Sequence, residues 1–155
     1  MVDGLQSLAP GGIDVTLFGR LALSAVLAAA IGLEREVHGK EAGLRTTILI
    51  CLGATLFTEL SRSLAGPGAD PTRITSNVVT GIGFLGAGTI LRHRGHIQGL
   101  TTAATIWVVA AVGVAVGGGE YFAAIGTTVL VLLVLIPLRA WEVRVERNRG
   151  NAGHG

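Results

Sequence analysis

The chain has 155 residues, half of them apolar and 14% charged, with a mean hydropathy of +0.62. A soluble globule of this length does not need so much apolar sequence, so the composition predicts an integral membrane protein. The sequence pI is near 9.3, but the net charge is only +2 and the basic residues lie between apolar runs, which argues against nucleic-acid binding.

Five apolar runs approach the length of about 20 residues that a helix needs to cross a bilayer. They cover residues 15–33, 44–64, 74–91, 100–116 and 121–138. We therefore predict an all-α fold, a polytopic transmembrane helical bundle with about five spans. Residues 15–138 would form the membrane domain, between a short outer segment at 1–14 and a basic cytoplasmic tail at 139–155 that is disordered at its end.

Local signals predict some helix ends. Asp14 is a candidate N-cap of the first helix, and Asp70 followed by Pro71 is typical of the start of the third. Pro137 lies near the predicted end of the fifth helix. The single cysteine, Cys51, lies inside the second run and is interpreted as a small buried side chain.

The basic residues predict the orientation, because cytoplasmic loops near helix ends are rich in Lys and Arg. With the N-terminus outside, nine basic residues fall on the cytoplasmic side, in the loop at 34–45, the loop at 92–99 and the tail. Only Arg62 and Arg73 fall outside, and Arg20 lies within the first helix. We predict an outer N-terminus and a cytoplasmic C-terminus.

A shift of 56 residues superimposes the first two predicted helices on the third and fourth. It aligns Gly32 with Gly88, Gly39 with Gly95, Gly43 with Gly99, Leu44 with Leu100 and Thr46 with Thr102. The pattern favours a parallel repeat of helical hairpins related by an axis along the membrane normal. Chance is the alternative, because identities among apolar residues and glycines are easy to find.

The third run contains a glycine-rich segment at 81–86 that matches the dinucleotide pattern G-x-G-x-x-G. That fingerprint requires a preceding strand and a helix that opens at the glycines, whereas this segment lies inside an apolar span. We interpret it as a surface on which Thr80, Gly81, Ala87 and Gly88 let another backbone approach closely. Such a surface serves either tight packing or a flexible helix beside a binding site.

Three segments together resemble the MgtC/SapB family of bacterial inner-membrane proteins. They read GLERE, GK and AGLRT within 32–46, NVVTGIGFLGAG at 77–88, and GLTTAA followed by a tryptophan at 99–107. The resemblance covers roughly residues 15–138, in order and with the expected spacing. It implies residues of functional interest in these segments, and we take as candidates Arg35, Glu36, Arg45, Thr46, Asn77, Gly81, Gly86, Thr101, Thr102 and Trp107.

The resemblance also implies a function. The family is linked genetically to magnesium transport, but its members are generally regarded as not being the transporter. They support growth in low magnesium and survival inside macrophages, a virulence role, and are proposed to restrain the ATP synthase. The sequence ends about 17 residues after the fifth predicted span, so we expect a short form without the family's soluble C-terminal domain. We expect a regulator that lies in the lipid bilayer and acts on other membrane proteins, and a homo-oligomer is one arrangement it could take. The alternative is a transporter or channel for Mg²⁺ or another small ion.

The chemistry of the residues supports no catalytic or cofactor site. Mg²⁺ prefers octahedral oxygen ligands, and Glu59 is the only acid well inside a predicted span, so no clear ligand set for Mg²⁺ emerges. The four histidines lie in loops or in the tail, without zinc-ligand spacing. We expect no enzymatic activity and no bound cofactor. Glu34, Glu36 and Glu41 of the first cytoplasmic loop are interpreted as a solvated, salt-bridged loop, with a shallow cation site as the alternative.

Two polar clusters are predicted. Arg20 and Glu59 lie about equally far from the centre of the first hairpin loop, so they should pair within the membrane, with Ser76 and Asn77 nearby. The alternative is that Arg20 reaches the headgroups while Glu59 pairs with Arg62. At the cytoplasmic end, Glu36, Arg45, Thr46 and Thr102 should form a second cluster in which Arg45 pairs with Glu36.

Overall fold

The computed structural model describes residues 15–65, 68, 70, 72–93 and 96–152 of the chain, and it leaves aside the side chains of residues 92, 93, 96 and 138–152. Five helices dominate this part. They are α1 (Val15–Val37), α2 (Leu44–Ser63), α3 (Arg73–Gly88), α4 (Leu100–Gly118) and α5 (Tyr121–Ala152). The predicted all-α bundle is confirmed. Asp14, Pro71, Arg94, Gly95 and the segment 1–14 lie outside the described residues.

Within the described residues, three helices, α1, α2 and α4, are long and apolar enough to cross a membrane by length and composition. The apolar part of α5, Tyr121–Pro137, is slightly shorter. Helix α3 has 16 residues, which corresponds to about 24 Å against a hydrocarbon core of about 30 Å. The predicted third span, 74–91, therefore extended three residues past the end of α3.

Helix α3 ends earlier than predicted because hydrogen bonds between residues three positions apart terminate its last turn. The Thr89 hydroxyl donates to the Gly86 carbonyl at 2.8 Å, and the backbone N–H of Ile90 donates to the Ala87 carbonyl at 3.1 Å. The chain then forms an antiparallel hairpin of β1 (Leu91–His93) and β2 (His96–Gln98), where a loop was predicted. Gly99, at φ +88°, turns the chain into α4.

The start of α3 also differs from the prediction. The helix begins at Arg73, with Thr72 as its N-cap, and not at Pro71. The Asp70 carboxylate accepts hydrogen bonds from the Thr72 hydroxyl at 2.7 Å and from its backbone N–H at 2.8 Å. These two hydrogen bonds, of which the one from the hydroxyl has the larger effect, hold the pKa of Asp70 below its ordinary value. Asp70 therefore organises the turn before the helix.

Helix α5 does not end at the predicted Leu138 but continues to Ala152. Pro137 lies inside it. A proline removes one backbone hydrogen bond and kinks a helix, but the residues after it resume the helix when their own propensity is high. The segment 139–152 is rich in Arg, Glu and Ala, which are good helix formers. The basic tail predicted at 139–155 is therefore helical as far as Ala152.

The centre of the bundle is closed by direct contact between the backbones of α2 and α4. A Cβ atom on Gly113 would lie 2.5 Å from the Cys51 carbonyl oxygen, and one on Gly117 would lie 2.6 Å from the Thr55 carbonyl oxygen. The Thr55 hydroxyl donates to the Gly113 carbonyl at 3.0 Å. These glycines form a G-x-x-x-G pair that brings two helices together in lipid. Fully buried side chains of α1 and α4 pack around the contact, among them Ile31, Val109 and Val116.

The glycines predicted to mediate packing in α3 behave differently. A Cβ atom on Gly81 or Gly88 would meet no heavy atom of a described residue within 4 Å, so the prediction of tight packing there is wrong for the part of the chain that the structure describes. The proposed repeat is also not matched in packing: Gly32 lies against Thr47 and Leu44, whereas the equivalent Gly88 is open. The backbone of α4 is instead approached by Gly86, which lies beside Ala103.

Successive helices run in opposite directions, so one terminus of each of the five helices lies at each end of the bundle. The Arg20 end contains Arg20, the last turns of α2 and α4, and the first turns of α3 and α5. The Arg35 end contains Arg35 and the first turns of α2 and α4. The charge distribution predicts that the Arg35 end is cytoplasmic.

This orientation can be tested by cysteine labelling. In a Cys51→Ala background, we expect a cysteine at Lys40 to react only with reagents that enter the cytoplasm. A cysteine at Gly118 should react with impermeant reagents added outside intact cells. Labelling of both positions from the same side would contradict the alternating topology, and the exchanged pattern would invert the predicted orientation.

Candidate functional site

At the Arg35 end, a buried hydrogen bond joins the first family-like segment to the third. Arg35 lies in the last turn of α1 and is only 3% exposed. Its Nη2 donates to the Thr102 hydroxyl in the first turn of α4 at 3.0 Å. A buried guanidinium requires hydrogen-bond partners because its desolvation is costly. The bond therefore defines how α1 and α4 meet.

Glu36 caps helix α2 and does not pair with Arg45. Its Oε2 accepts a hydrogen bond from the backbone N–H of Leu44 at 2.8 Å. The first backbone N–H groups of a helix lack partners, and a carboxylate is also favoured by the helix dipole there. Arg45 and Thr46 are exposed, and no ion pair between described residues includes Arg45. The predicted Arg45–Glu36 pair is wrong because the helix terminus takes the carboxylate.

The three family-like segments meet at this end. Gly32 of the first segment contacts Thr47, and Gly86 of the second lies beside Ala103 of the third. The Arg35–Thr102 bond completes the junction. The sequence analysis selected Arg35, Gly86 and Thr102 but placed only Thr102 in a cluster.

A pair that the sequence analysis missed lies one turn apart on α1. The carboxylate of Glu34 is buried, and its Oε1 lies 3.0 Å from Nδ1 of His38. The same Nδ1 is 2.6 Å from the Glu34 carbonyl oxygen, so it carries a proton and donates. Oε2 of Glu34 is buried and has no hydrogen-bond partner among the described residues. The i, i+4 spacing was the available signal.

At the Arg20 end, the predicted ion pair is confirmed. Nη1 of Arg20 donates to Oε2 of Glu59, and both side chains are partly buried. Nη1 also lies 3.2 Å from the Gly117 carbonyl oxygen, and Nε donates to the Tyr121 hydroxyl at 3.1 Å. One guanidinium therefore ties α1 to α2, α4 and α5. Gly117 and Tyr121 were not predicted, because nothing in the sequence indicates which carbonyl a buried arginine will reach.

Arg62 binds the end of α4 and does not form the ion pair with Glu59 that was the predicted alternative. Its Nη1 donates to the Gly118 carbonyl at 2.7 Å and to the Gly117 carbonyl at 3.3 Å. The last carbonyls of a helix lack intrahelical partners and attract cations. Ser76 and Asn77 are exposed and do not join the cluster; the Ser76 hydroxyl donates to the Arg73 carbonyl.

The remaining candidates face outward. Thr46, Asn77, Gly81, Thr101 and Trp107 are all exposed in the isolated chain. In a bilayer, such positions contact lipid, headgroups or another protein. The buried Arg35–Thr102 contact and the partly buried Arg20–Glu59 pair join helices within the bundle, whereas the exposed candidates belong to its outer surface. In the described part of the chain, no group of three His, Cys, Asp or Glu residues is arranged to hold a metal ion.

The junction between Arg35 and Thr102 can be tested by removing one hydroxyl. We expect Thr102→Val to lower the free energy of unfolding in detergent by about 1.5 kcal/mol, because a buried guanidinium N–H loses its partner. Thr101→Val is the matched control: its side chain is exposed, so a change below about 0.5 kcal/mol is expected. Equal effects of the two substitutions would show that the Arg35–Thr102 bond does not stabilise the fold.

Comparison with known sequences agrees with this arrangement of segments. The sequence model of the MgtC family matches residues 21–144, most of the chain and all the segments that meet at the Arg35 end. The chain belongs to the MgtC family. It is therefore a membrane protein, as its helices also indicate.

Individual relatives extend the comparison. The chain is 50% identical over 123 residues to a protein of Escherichia coli (strain K12) named "Putative magnesium transporter YhiD", covering 75% of this chain and 57% of the relative. It is 42% identical over 122 residues to "Protein MgtC" of Salmonella typhimurium (strain LT2), covering 79% and 52%. An uncharacterized protein of Synechocystis, slr0014, is 42% identical over 120 residues, covering 77% and 51%. The chain thus spans little more than half the length of these relatives. No solved structure matches it.

Proposed function

We propose that this protein is a regulatory factor of the bacterial inner membrane that acts on other membrane complexes. Magnesium limitation or intracellular survival is the proposed setting, and the ATP synthase is a proposed target from the family resemblance. The N-terminus would face outward and the C-terminus would be cytoplasmic. The name of the Salmonella relative and the family match support the link to this family.

The observation that carries the proposal is the exposed face of α3. Only Ile82 and Gly86 of its 16 residues are buried. Phe84 is 81% exposed, and a Cβ on Gly81 or Gly88 would meet no described residue within 4 Å. Small residues on a membrane helix allow another helix to approach closely, whereas toward lipid they lose packing contacts. A surface of this kind suits a protein partner in the membrane.

The closed centre of the bundle supports the same proposal. The backbones of α2 and α4 touch at Gly113 and Gly117, and apolar side chains surround the contact. A hydrated cation needs oxygen ligands or retained water along its path. The packed centre therefore favours a function that uses the outer surface of the bundle over an ion pathway through its centre.

Photo-crosslinking in native membranes tests the regulatory function. A photoreactive amino acid at Phe84 should capture a defined membrane protein, identified by mass spectrometry. The matched control is the same group at Phe122 of α5, which is 94% exposed and should give only diffuse labelling. The same products from both positions would contradict a specific surface on α3.

The second candidate function is transport of Mg²⁺ or another small ion. The partly buried charges of Arg20 and Glu59 favour it, because ionisable groups within a membrane often mark ion pathways. The name of the E. coli relative points the same way. Purified protein in liposomes loaded with a Mg²⁺-sensitive dye separates the two. Flux above that of protein-free liposomes, abolished by Glu59→Gln, would replace the regulatory proposal.

A further inference from the structure

A groove of about 560 Å³ lies between α3 and α4 near the Arg20 end. Val78, Val79 and Ile82 line it from α3, and Trp107, Ala111 and Val114 line it from α4. Its volume is within the range of small-molecule sites, about 300–1,000 Å³. Val79 and Trp107 are each about half exposed, so the groove opens sideways, toward the position of the lipid.

The rim of the groove carries one charge of each sign. Arg62 and Glu120 both line it, together with the hydroxyl-bearing Thr72 and Thr75. Arg62 uses Nη1 to bind the carbonyls at the end of α4, and its Nε and Nη2 make no hydrogen bond to a described residue. No ion pair among the described residues includes Glu120. The rim therefore offers a donor and an acceptor site to a ligand.

We propose that the groove binds one zwitterionic phospholipid of the phosphatidylethanolamine type. An acyl chain lies along the apolar walls, the phosphate accepts hydrogen bonds from Arg62, and the ammonium group donates to Glu120. Arginine matches phosphate geometry, and a carboxylate is the natural partner of an ammonium group. The sideways opening and the apolar walls select a lipid over a soluble zwitterion, which would leave most of the groove unfilled.

The groove is not required for the regulatory function proposed above. It shares α3 with the exposed Phe84 face but uses other side chains, and its rim includes Arg62 of α2 and Glu120 before α5. A lipid bound there would hold α3 against α4 at the end where the groove separates them. The two proposals therefore fail independently.

Native mass spectrometry with equal amounts of phosphatidylethanolamine and phosphatidylglycerol tests the site. We expect one lipid retained per chain, with phosphatidylethanolamine preferred about five-fold. Glu120→Gln should bring the ratio near one, because phosphatidylglycerol needs only the arginine. Glu120 is the position to change, because Arg62 also caps α4. The control Lys40→Gln with Glu41→Gln removes one exposed charge of each sign at the opposite end and should leave the ratio unchanged.

A second variant tests the walls without touching the charges. Ala111→Trp should fill the groove and lower retention of both lipids at least five-fold, while the protein still elutes as a single species in size-exclusion chromatography. Equal retention of the two lipids by the unmodified protein would overturn the proposal, as would a Glu120→Gln ratio equal to the original. So would a lipid-free dimer that Ala111→Trp dissociates, because the groove would then hold a second copy of the chain.

Discussion

Gly113→Val should be the most damaging single substitution in the described part of the chain. A Cβ atom at Gly113 would lie 2.5 Å from the Cys51 carbonyl oxygen and 2.8 Å from the Cβ of Ala54. The first neighbour is backbone, so the clash is relieved only if α2 and α4 separate. Overpacking commonly costs about 1–3 kcal/mol, and occasionally more. With two further methyl groups in the contact, we expect a loss of roughly 3 kcal/mol or more in unfolding free energy, measured by SDS titration in mixed micelles.

Gly118→Ala is the matched control for the glycine contact. Gly118 lies on the same helix, and a Cβ there would meet no atom within 4 Å in the described part of the chain. We expect a change within about 0.5 kcal/mol. Gly117→Ala should lie between the two, because its Cβ would be 2.6 Å from the Thr55 carbonyl oxygen. An unfolding free energy for Gly113→Val close to that of Gly118→Ala would show that the two helices do not touch at this point.

Breaking the Arg20–Glu59 pair should have the second-largest effect. Loss of one partner of a buried ion pair costs about 3–5 kcal/mol because the other charge stays uncompensated. The Arg20 and Glu59 side chains are 15% and 22% exposed, so partial solvation reduces the cost. We expect Arg20→Gln and Glu59→Gln each to lower the unfolding free energy by about 2 kcal/mol. The double variant should lose less than the sum, with a coupling of about 1 kcal/mol in a double-mutant cycle.

The other contacts of Arg20 refine this prediction. Exchanging the two charges should restore only part of the lost stability, because a glutamate at position 20 cannot donate to the Gly117 carbonyl. Arg45→Gln is the control, since Arg45 is exposed and its loss should cost under about 0.5 kcal/mol. Strict additivity of the two single substitutions would contradict a direct pair.

The other contacts of Arg20 and Glu59 determine how much stability each single substitution removes. Tyr121 and the Gly117 carbonyl both contact Arg20, so the guanidinium remains partly satisfied when Glu59 is replaced. Glu59, in contrast, has Arg20 as its only ion-pair partner among the described residues. We therefore expect Arg20→Gln to be somewhat more damaging than Glu59→Gln in the same titration.

Much of the fold was predictable because it depends on distance along the chain. Apolar runs and the polar segments between them determine how many helices form, and in what order. The Arg20–Glu59 pair was predictable for the same reason: two residues equally far from a hairpin loop must lie at the same depth. The hairpin formed by β1 and β2 and the continuation of α5 past Pro137 depend on local hydrogen bonds and propensities that hydropathy does not report.

The sequence was therefore sufficient to predict depth in the membrane: five helices, their order, the family-like segments at one end and a charge pair at the other. The rotation of each helix and its contacts were visible only in the folded chain. It assigned Glu36 to the N-terminus of α2, Arg35 to Thr102, and the close helix contact to Gly113 rather than Gly81. The physical reason is that core-facing and lipid-facing side chains are equally apolar in a membrane, so composition does not indicate which way a helix turns.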